Sequence, residues 1–263
     1  MAVTMGSSAL AHSDHEKMAP GKTLAQVIAG THRSDKNKSR DQYRHPKATL
    51  EFFGLKSDMS VVEIWPGGGG WYQEIIAPYL NAKGTYYSAG NDLAATGDYT
   101  KKTNAKIAAR LASDKTLYGN AVVTELAPPA KVEIAPAGSV DMVVSFRNFH
   151  NWQMAGSEKT VVKAAYDALK PGGIFGITDH RSDNPKERDG YIKPSYLLKV
   201  AKEAGFVLVA KSEINANPKD SHDHVKGVWT LLPRLAGDKA DHDKMRAIGE
   251  SDRLTFKFMK PAK

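Results

Sequence analysis

The sequence predicts an α/β fold: a seven-stranded, mostly parallel sheet with helices on both faces and a last strand expected to run antiparallel. Three observations predict it. The β-branched run Val61-Val62-Glu63-Ile64 turns through Trp65-Pro66-Gly67-Gly68-Gly69-Gly70 into a helical stretch at 71–80, giving a strand, a tight glycine loop and a helix in immediate succession. Strand-length apolar runs then alternate with helical spacings, which requires right-handed crossovers and parallel pairing. The closing alternation at 253–260 follows a long polar stretch instead of a crossover helix, so this strand is free to run the other way.

Residues 1–20 are small and polar, and are expected to be a disordered tail or a signal remnant, with His12 and His15 solvated. Ser8-Ala9-Leu10-Ala11-His12 has the small-x-small shape of a signal-peptidase site, without the basic and long apolar regions that normally precede one. The expected compartment is cytoplasmic, or periplasmic if the residues before His12 are a trimmed signal. Residues 21–263 read as one domain. Its first part, 21–58, is predicted to be a helical cap: Leu24, Val27 and Ile28 have helical spacing, and Pro46 should open a helix running through Leu50 to Phe53. Between them lies a charged run, 33–44, in which Arg40, Tyr43, Arg44 and His45 stand just upstream of the first strand, where an N-terminal segment can fold back over a ligand.

After the glycine loop come a second strand at 84–89, a helix at 99–112, and third and fourth strands at 121–124 and 140–146. A helix at 158–169 follows, and Lys170-Pro171-Gly172-Gly173 turns into a fifth strand at 174–178. Pro194 opens a helix that Gly205 caps, before a sixth strand at 206–211. The stretch 212–252, with Asn215, Asn217, Pro218, His222, His224 and Asp241-His242-Asp243, reads as too polar for core and as a lid-like insertion. His222-x-His224 has no carboxylate or cysteine partner at helical spacing, so it reads as a solvated loop, and no metal is expected.

Composition narrows the function classes. The chain has no cysteine, which removes disulfides, thiolate metal sites and cysteine nucleophiles. The 37 basic against 29 acidic side chains give a net charge of +8, but the two signs are interspersed, which reads as surface solubility rather than a nucleic-acid footprint. No apolar run approaches the roughly 20 residues of a membrane span.

The glycine loop itself excludes two readings. A dinucleotide fingerprint starting at Gly67 and Gly69 needs its third glycine where Tyr72 stands, and a phosphate loop needs the lysine and hydroxyl that Gly70-Trp71-Tyr72 lacks. What remains is a strand-end acid, Glu63, before a Pro-Gly-x-Gly turn. That pattern resembles motif I of S-adenosylmethionine-dependent methyltransferases. Phe146-Arg147-Asn148-Phe149-His150-Asn151-Trp152 after a strand opened by Asp141, with Leu169-Lys170-Pro171-Gly172-Gly173 before the next, strengthens the resemblance to the class I, Rossmann-like enzymes. More narrowly the chain is similar to a family of bacterial predicted methyltransferases that pair a Pro-Gly-x-Gly-Trp-Tyr loop with an Arg-Asn-x-His-Asn-Trp segment. The similarity spans roughly 30–261.

The resemblance implies S-adenosylmethionine bound across the carboxyl ends of the first four strands and methyl transfer to a small-molecule O or N acceptor. It places Glu63, Pro66, Gly67, Gly69, Trp71 and Asn148 around the cofactor. Trp65 stands where many such enzymes have glycine, and the usual acid at the end of the second strand falls at Gly90, so Asn91 or Asp92 is the expected substitute. His150 is the candidate general base, with His180 the next choice if His150 only pins its loop. Arg147 joins them as a catalytic candidate, and Tyr43, Arg44, Asn151, Trp152 and Asp179 are the candidate substrate contacts. The competing class is a non-catalytic ligand-binding or accessory protein on the same fold. Nucleic-acid modification ranks last, since no base-handling motif is present.

Overall fold

The computed structural model describes residues 21–262, so the expectations for residues 1–20 lie outside the described residues. Four short helices come first: α1 (Leu24–Ala29), α2 (Asp35–Lys38), α3 (Asp41–Arg44) and α4 (Pro46–Phe53). Thr23 caps α1 with a reciprocal capping box to Gln26, and Pro46 stands at the start of α4, as its fixed φ favours. The charged run thus holds two single-turn helices that its sequence does not announce. Arg33, 2% exposed, clasps Asp41 through both guanidinium nitrogens at 2.7 Å and fixes the bend between them.

The rest alternates as β1 (Ser60–Ile64), α5 (Gln73–Leu80), β2 (Thr85–Gly90), α6 (Asp98–Ser113), α7 (Lys115–Tyr118), β3 (Ala121–Glu125), β4 (Val140–Phe146), α8 (Phe149–Met154), α9 (Glu158–Ala168), β5 (Leu169–His180), α10 (Pro194–Glu203), β6 (Val207–Ser212), α11 (His242–Ile248) and β7 (Arg253–Met259). The sheet order is β3-β2-β1-β4-β5-β7-β6. The first five of these strands are parallel, and β7 runs antiparallel to both β5 and β6. β5 begins five residues earlier than its apolar run, because Lys170-Pro171-Gly172-Gly173 continues as strand past a register shift opposite Val140 and Met142.

Both faces of the central strands are buried, as a crossover-linked parallel sheet requires, while the edge strands β3 and β6 stay largely exposed. Alternate residues of β1 go to opposite cores: Val62 and Ile64 join the core under α8, α9 and α10, whereas Val61 joins the one under α1, α4 and α5. Glu63 therefore points to the same side as Val61, a carboxyl only 3% exposed among apolar groups. The order of strands reverses between β1 and β4, and the crevice beyond their carboxyl ends is where a ligand fits in such sheets.

The stretch 212–252 departs from the expectation of a polar surface excursion. It holds two 3-10 turns and α11, and it buries Asn215, Asp220, Val228, Leu231 and Glu250. The polar members are buried because they are bonded: Asn215 Nδ2 donates to Thr49 Oγ1 and Thr255 Oγ1, and Asp220 accepts from Tyr191, the His222 backbone and the Asp252 backbone. His222 faces Asp252, and His224 faces Asp220, a carboxylate four residues before it that the expectation of an unpartnered solvated loop overlooked. No helix among the described residues is long and apolar enough to cross a membrane.

Candidate functional site

A cleft of about 340 Å³ opens beyond β1 and β4, within the usual range for small-molecule sites. One wall is the glycine loop. Gly67 has φ of 69°, and a Cβ added there or at Gly69 would meet nothing within 4 Å, so both present bare backbone to open space. Gly70 serves a different purpose. It too is left-handed, at φ 55°, and a Cβ there would collide with the Arg110 guanidinium. Arg110 reaches over from α6 to donate to the carbonyls of Gly68 (3.2 Å) and Gly69 (3.1 Å), while Asn37 of α2 donates to the same Gly69 carbonyl at 3.1 Å. Trp71 Nε1 returns a bond to the Asn37 carbonyl at 2.7 Å. The loop is thus held from outside by side chains that leave its inner face clear.

Glu63 lies below the loop. Tyr86 donates its hydroxyl to Glu63 Oε2 at 2.6 Å, leaving the other oxygen without a partner among the described residues. Burial raises the Glu63 carboxyl to about 7, against the lowering effect of the Tyr86 bond and Arg110.

Two residues at the strand ends have positive φ without being glycine: Trp65 at 49° after β1 and Arg147 at 63° after β4. Trp65 adopts a left-handed backbone that glycine takes up most easily. Its strain is offset by packing on Trp152 and by the Nε1 bond to the Leu126 carbonyl at 3.1 Å. Asn148 ties the two ends together, its Nδ2 donating to the carbonyls of Ile64 (3.0 Å) and Trp65 (3.3 Å) and to Ser145 Oγ (3.2 Å).

The opposite wall carries titratable groups. Asp179, fully buried near the end of β5, accepts from the His150 ring Nδ1 at 2.9 Å and from its backbone N–H at 3.2 Å. With the carboxylate as acceptor, that bond puts a proton on Nδ1 and leaves Nε2 outside it. His150 lines both the cleft and a neighbouring cavity of about 400 Å³ bounded by Gln153, Met154 and the 185–191 loop. Arg147 donates from Nε to His180 Nε2 at 3.3 Å, so His180 carries its proton on Nδ1, toward Ser251 Oγ. Burial and the Arg147 charge hold the His180 imidazolium well below its ordinary range, so His180 stays neutral.

His150, Asp179 and His180 offer three ligand atoms within 4.8 Å of one another, a grouping that metals use elsewhere. Here Asp179 Oδ1 already accepts the His180 backbone N–H at 2.7 Å and a guanidinium faces His180 Nε2, whereas His150 Nε2 stays open.

Of the residues singled out in the sequence, the cleft brings together Arg44, Glu63, Pro66, Gly67, Gly69, Trp71, Arg147, Asn148, His150 and Asn151. The others lie elsewhere. Asp92 accepts from Lys131 at 2.7 Å and from the Ala94 backbone, and neither it nor Asn91 lines the cleft. Trp152 is fully buried beneath Trp65 and Phe149, a core residue and no wall of the cleft. Tyr43 offers only its carbonyl, to Arg253, and His180 stands behind Arg147. Arg40, noted upstream of the first strand, also lines the cleft, while sequence reading missed Asn37, Tyr72, Tyr99, Arg110, Trp229 and Arg234. Tyr72 had a signal, since it directly follows the loop and stacks flat on Phe146 at 3.4 Å. The arginines and Asn37 had none, because on a helix or a charged run each looks solvated.

No protein-family model and no curated protein matches the sequence. Solved structures do resemble the fold. A SAM-dependent methyltransferase from Aquifex aeolicus is 14% identical with a TM-score of 0.55, over 91% of this chain and 99% of that one. The [4+2]-cyclase SpnF is 13% identical with a TM-score of 0.56, over 91% and 93%. Phosphoethanolamine N-methyltransferase 2 from Haemonchus contortus, in complex with S-adenosyl-L-methionine, is 14% identical with a TM-score of 0.51, over 91% of this chain and 60% of that one. At these identities the likeness shows a Rossmann-like methyltransferase fold and leaves the chemistry to the site.

Proposed function

We propose that this chain is an S-adenosylmethionine-dependent methyltransferase acting on an O–H or N–H group of a small molecule, with His150 as general base. The observation that carries this reading is the pairing, across one cleft, of bare glycine backbone at Gly67 and Gly69 with an imidazole that Asp179 holds with Nε2 free. The structural relatives that use or bind this cofactor support it.

The donor set suits the cofactor: open space ahead of Gly67 and Gly69, a free Glu63 oxygen, and aromatic surface from Trp71, Tyr72 and Tyr99. When bound, the cofactor supplies an electrophilic methyl group on a positively charged sulfur. The chain must then orient the acceptor, exclude water and take up a proton. His150 Nε2 receives the proton from the acceptor as its oxygen or nitrogen becomes the nucleophile. The Asp179 carboxylate stabilises the resulting imidazolium from the Nδ1 side. Arg147 and Asn151, on the same rim, orient the acceptor.

One observation favours a second reading, a ligand-binding protein that keeps the fold without the reaction: the acid nearest the end of β2, Asp92, is bound to Lys131 instead of facing the cleft. Calorimetric titration with S-adenosylhomocysteine separates the two. Micromolar binding, with a matching rise in melting temperature, is the expected result. No heat and no shift at millimolar ligand would remove the methyltransferase reading.

A further inference from the structure

We infer that the molecule bound beside His150 carries an anionic group, a carboxylate or a phosphate, gripped by the guanidinium groups of Arg147 and Arg44. The inference rests on the functional reading above and names its substrate class. It begins from an imbalance of charge. Arg40, Arg44, Arg147 and Arg234 line the cleft, and Glu63 is the one carboxylate in its lining.

Behind the wall, Arg40, Arg44 and Arg253 converge on Glu250. Arg40 Nε donates to Oε1 at 2.7 Å, Arg44 Nε to Oε2 at 3.0 Å, and Arg253 Nη1 to Oε2 at 2.9 Å. Although burial pushes the Glu250 carboxyl up, Arg44, Arg253, Arg147 and Arg40 together hold it well below the usual carboxylate range. Three guanidinium groups therefore take up the hydrogen-bonding capacity of one carboxylate, and Arg147, which feels its charge from a distance, makes no bond to it. The next carboxylate, Asp179, is taken by His150 and by the His180 backbone.

Arg147 forms no ion pair among the described residues. Its bond from Nε to His180 holds the side chain in place, and its two terminal nitrogens have no hydrogen-bond partner there. Burial, with Arg44 adding repulsion, lowers its guanidinium to about 9. Arg44 is only 5% exposed, yet its Nη2 is buried without an acceptor while the residue lines the cleft. The Arg147 side chain is only part-buried, so its open donors reach the cleft, and the strained backbone at Arg147 holds them there at a cost. A planar fork with open donors matches a carboxylate or phosphate. Arg147 stands three residues before His150 on the same rim, so an anion held there leaves a hydroxyl or amine of the same molecule within the reach of Nε2.

The same arginines could take the cofactor's own carboxylate, so the test separates the two sources. Protein saturated with S-adenosylhomocysteine is titrated with benzoate, phenyl phosphate and the neutral isostere benzamide. Benzoate or phenyl phosphate should bind the saturated protein at least about tenfold more tightly than benzamide, without displacing S-adenosylhomocysteine. Arg147→Met should abolish that preference while leaving S-adenosylhomocysteine affinity intact, and should raise the melting temperature of the free protein by removing an unpaired charge. Arg147→Lys, which keeps the charge and loses the fork, should retain part of the preference.

Anions that compete with S-adenosylhomocysteine would assign the arginines to the cofactor and overturn the inference. Equal binding of benzoate and benzamide, or none of either, would overturn it as well. If S-adenosylhomocysteine itself does not bind, the functional reading fails, and the same three probes on the free protein still decide the anion question.

Discussion

The two walls of the cleft recognise by opposite means. After β1 the chain removes side chains, and its glycine loop is clamped from outside by Asn37 and Arg110 so that backbone faces the ligand. After β4 and β5 the chain concentrates side chains, with Arg147, His150, Asp179 and His180 in direct contact with one another. Each wall is entered through a residue held at positive φ, Trp65 on one side and Arg147 on the other. The contrast suggests a division of work: a backbone wall binds a ligand of fixed shape, and a titratable wall carries out proton transfer and reads charge. Substitutions on the two walls should then fail in different ways.

The largest expected effect lies on the titratable wall. His150→Ala should lower turnover of an O–H or N–H acceptor by about 10²- to 10⁴-fold, the usual contribution of a positioned base, with S-adenosylhomocysteine affinity nearly unchanged. Steady-state kinetics and calorimetry on one preparation read both. If affinity and melting temperature fall together instead, His150 is a structural pin of its loop.

Gly67→Val should do the reverse. At φ 69° a β-branched residue costs about 1–3 kcal/mol of strain, and its side chain would fill the space that Gly67 leaves open. S-adenosylhomocysteine binding should weaken by about 100-fold or more, while the melting temperature of the free protein falls only by the strain. Retained affinity would reduce the loop to a turn.

Glu63 gives a pH test of the same wall. Burial lifts its carboxyl from 4.5 to about 7 in the folded chain. Between those values the native state keeps a proton that the unfolded chain has lost, so stability falls as pH rises through that window and is level above it. Glu63→Gln keeps an acceptor for Tyr86 and removes the slope. Urea unfolding of the ligand-free protein should show the variant more stable at pH 8, by at most about 3 kcal/mol, and indistinguishable at pH 4. An unchanged slope would mean that Glu63 is solvated in the free protein.

The backbone wall was the more legible of the two in the sequence. Glycine announces positive φ by its identity, and Val61 to Ile64 announces the strand before it. The sheet was legible for the same reason, since period-2 and 3.6-residue patterns are local, and the antiparallel β7 followed from the missing crossover. The titratable wall was half legible. His150 stood out in Arg147 to Trp152, but its relation to Asp179 spans 29 residues and only the pairing of β4 with β5 brings them together. Trp152 looked like a pocket wall because periodicity does not say which aromatic of a short helix turns inward, and packing against Phe149 and Trp65 decides that. Glu250 was illegible, since a carboxylate in a polar stretch looks solvated until Arg40, Arg44 and Arg253 close on it.

The smallest effect tests whether the walls are independent at all. Asn148 belongs to the titratable wall by sequence, yet its Nδ2 donates to the carbonyls of Ile64 and Trp65 at the end of β1. It is thus a strut that sets how far apart the two strand ends stand and helps to keep Trp65 in its left-handed backbone. Asn148→Ala removes bonds worth about 1 kcal/mol each, partly replaced by water from the cleft. The net cost should be about 1–2 kcal/mol, or a drop of roughly 2–8 °C in melting temperature. Because the strut joins both walls, it should weaken S-adenosylhomocysteine binding a few-fold and slow turnover a few-fold together, unlike either single-wall change. Combined with His150→Ala, its effect on affinity should be unaltered, since His150 contributes nothing to that wall, whereas its effect on turnover should shrink, because a displaced base matters only while the base is present. Full additivity in turnover would show that Asn148 acts through the cofactor wall alone.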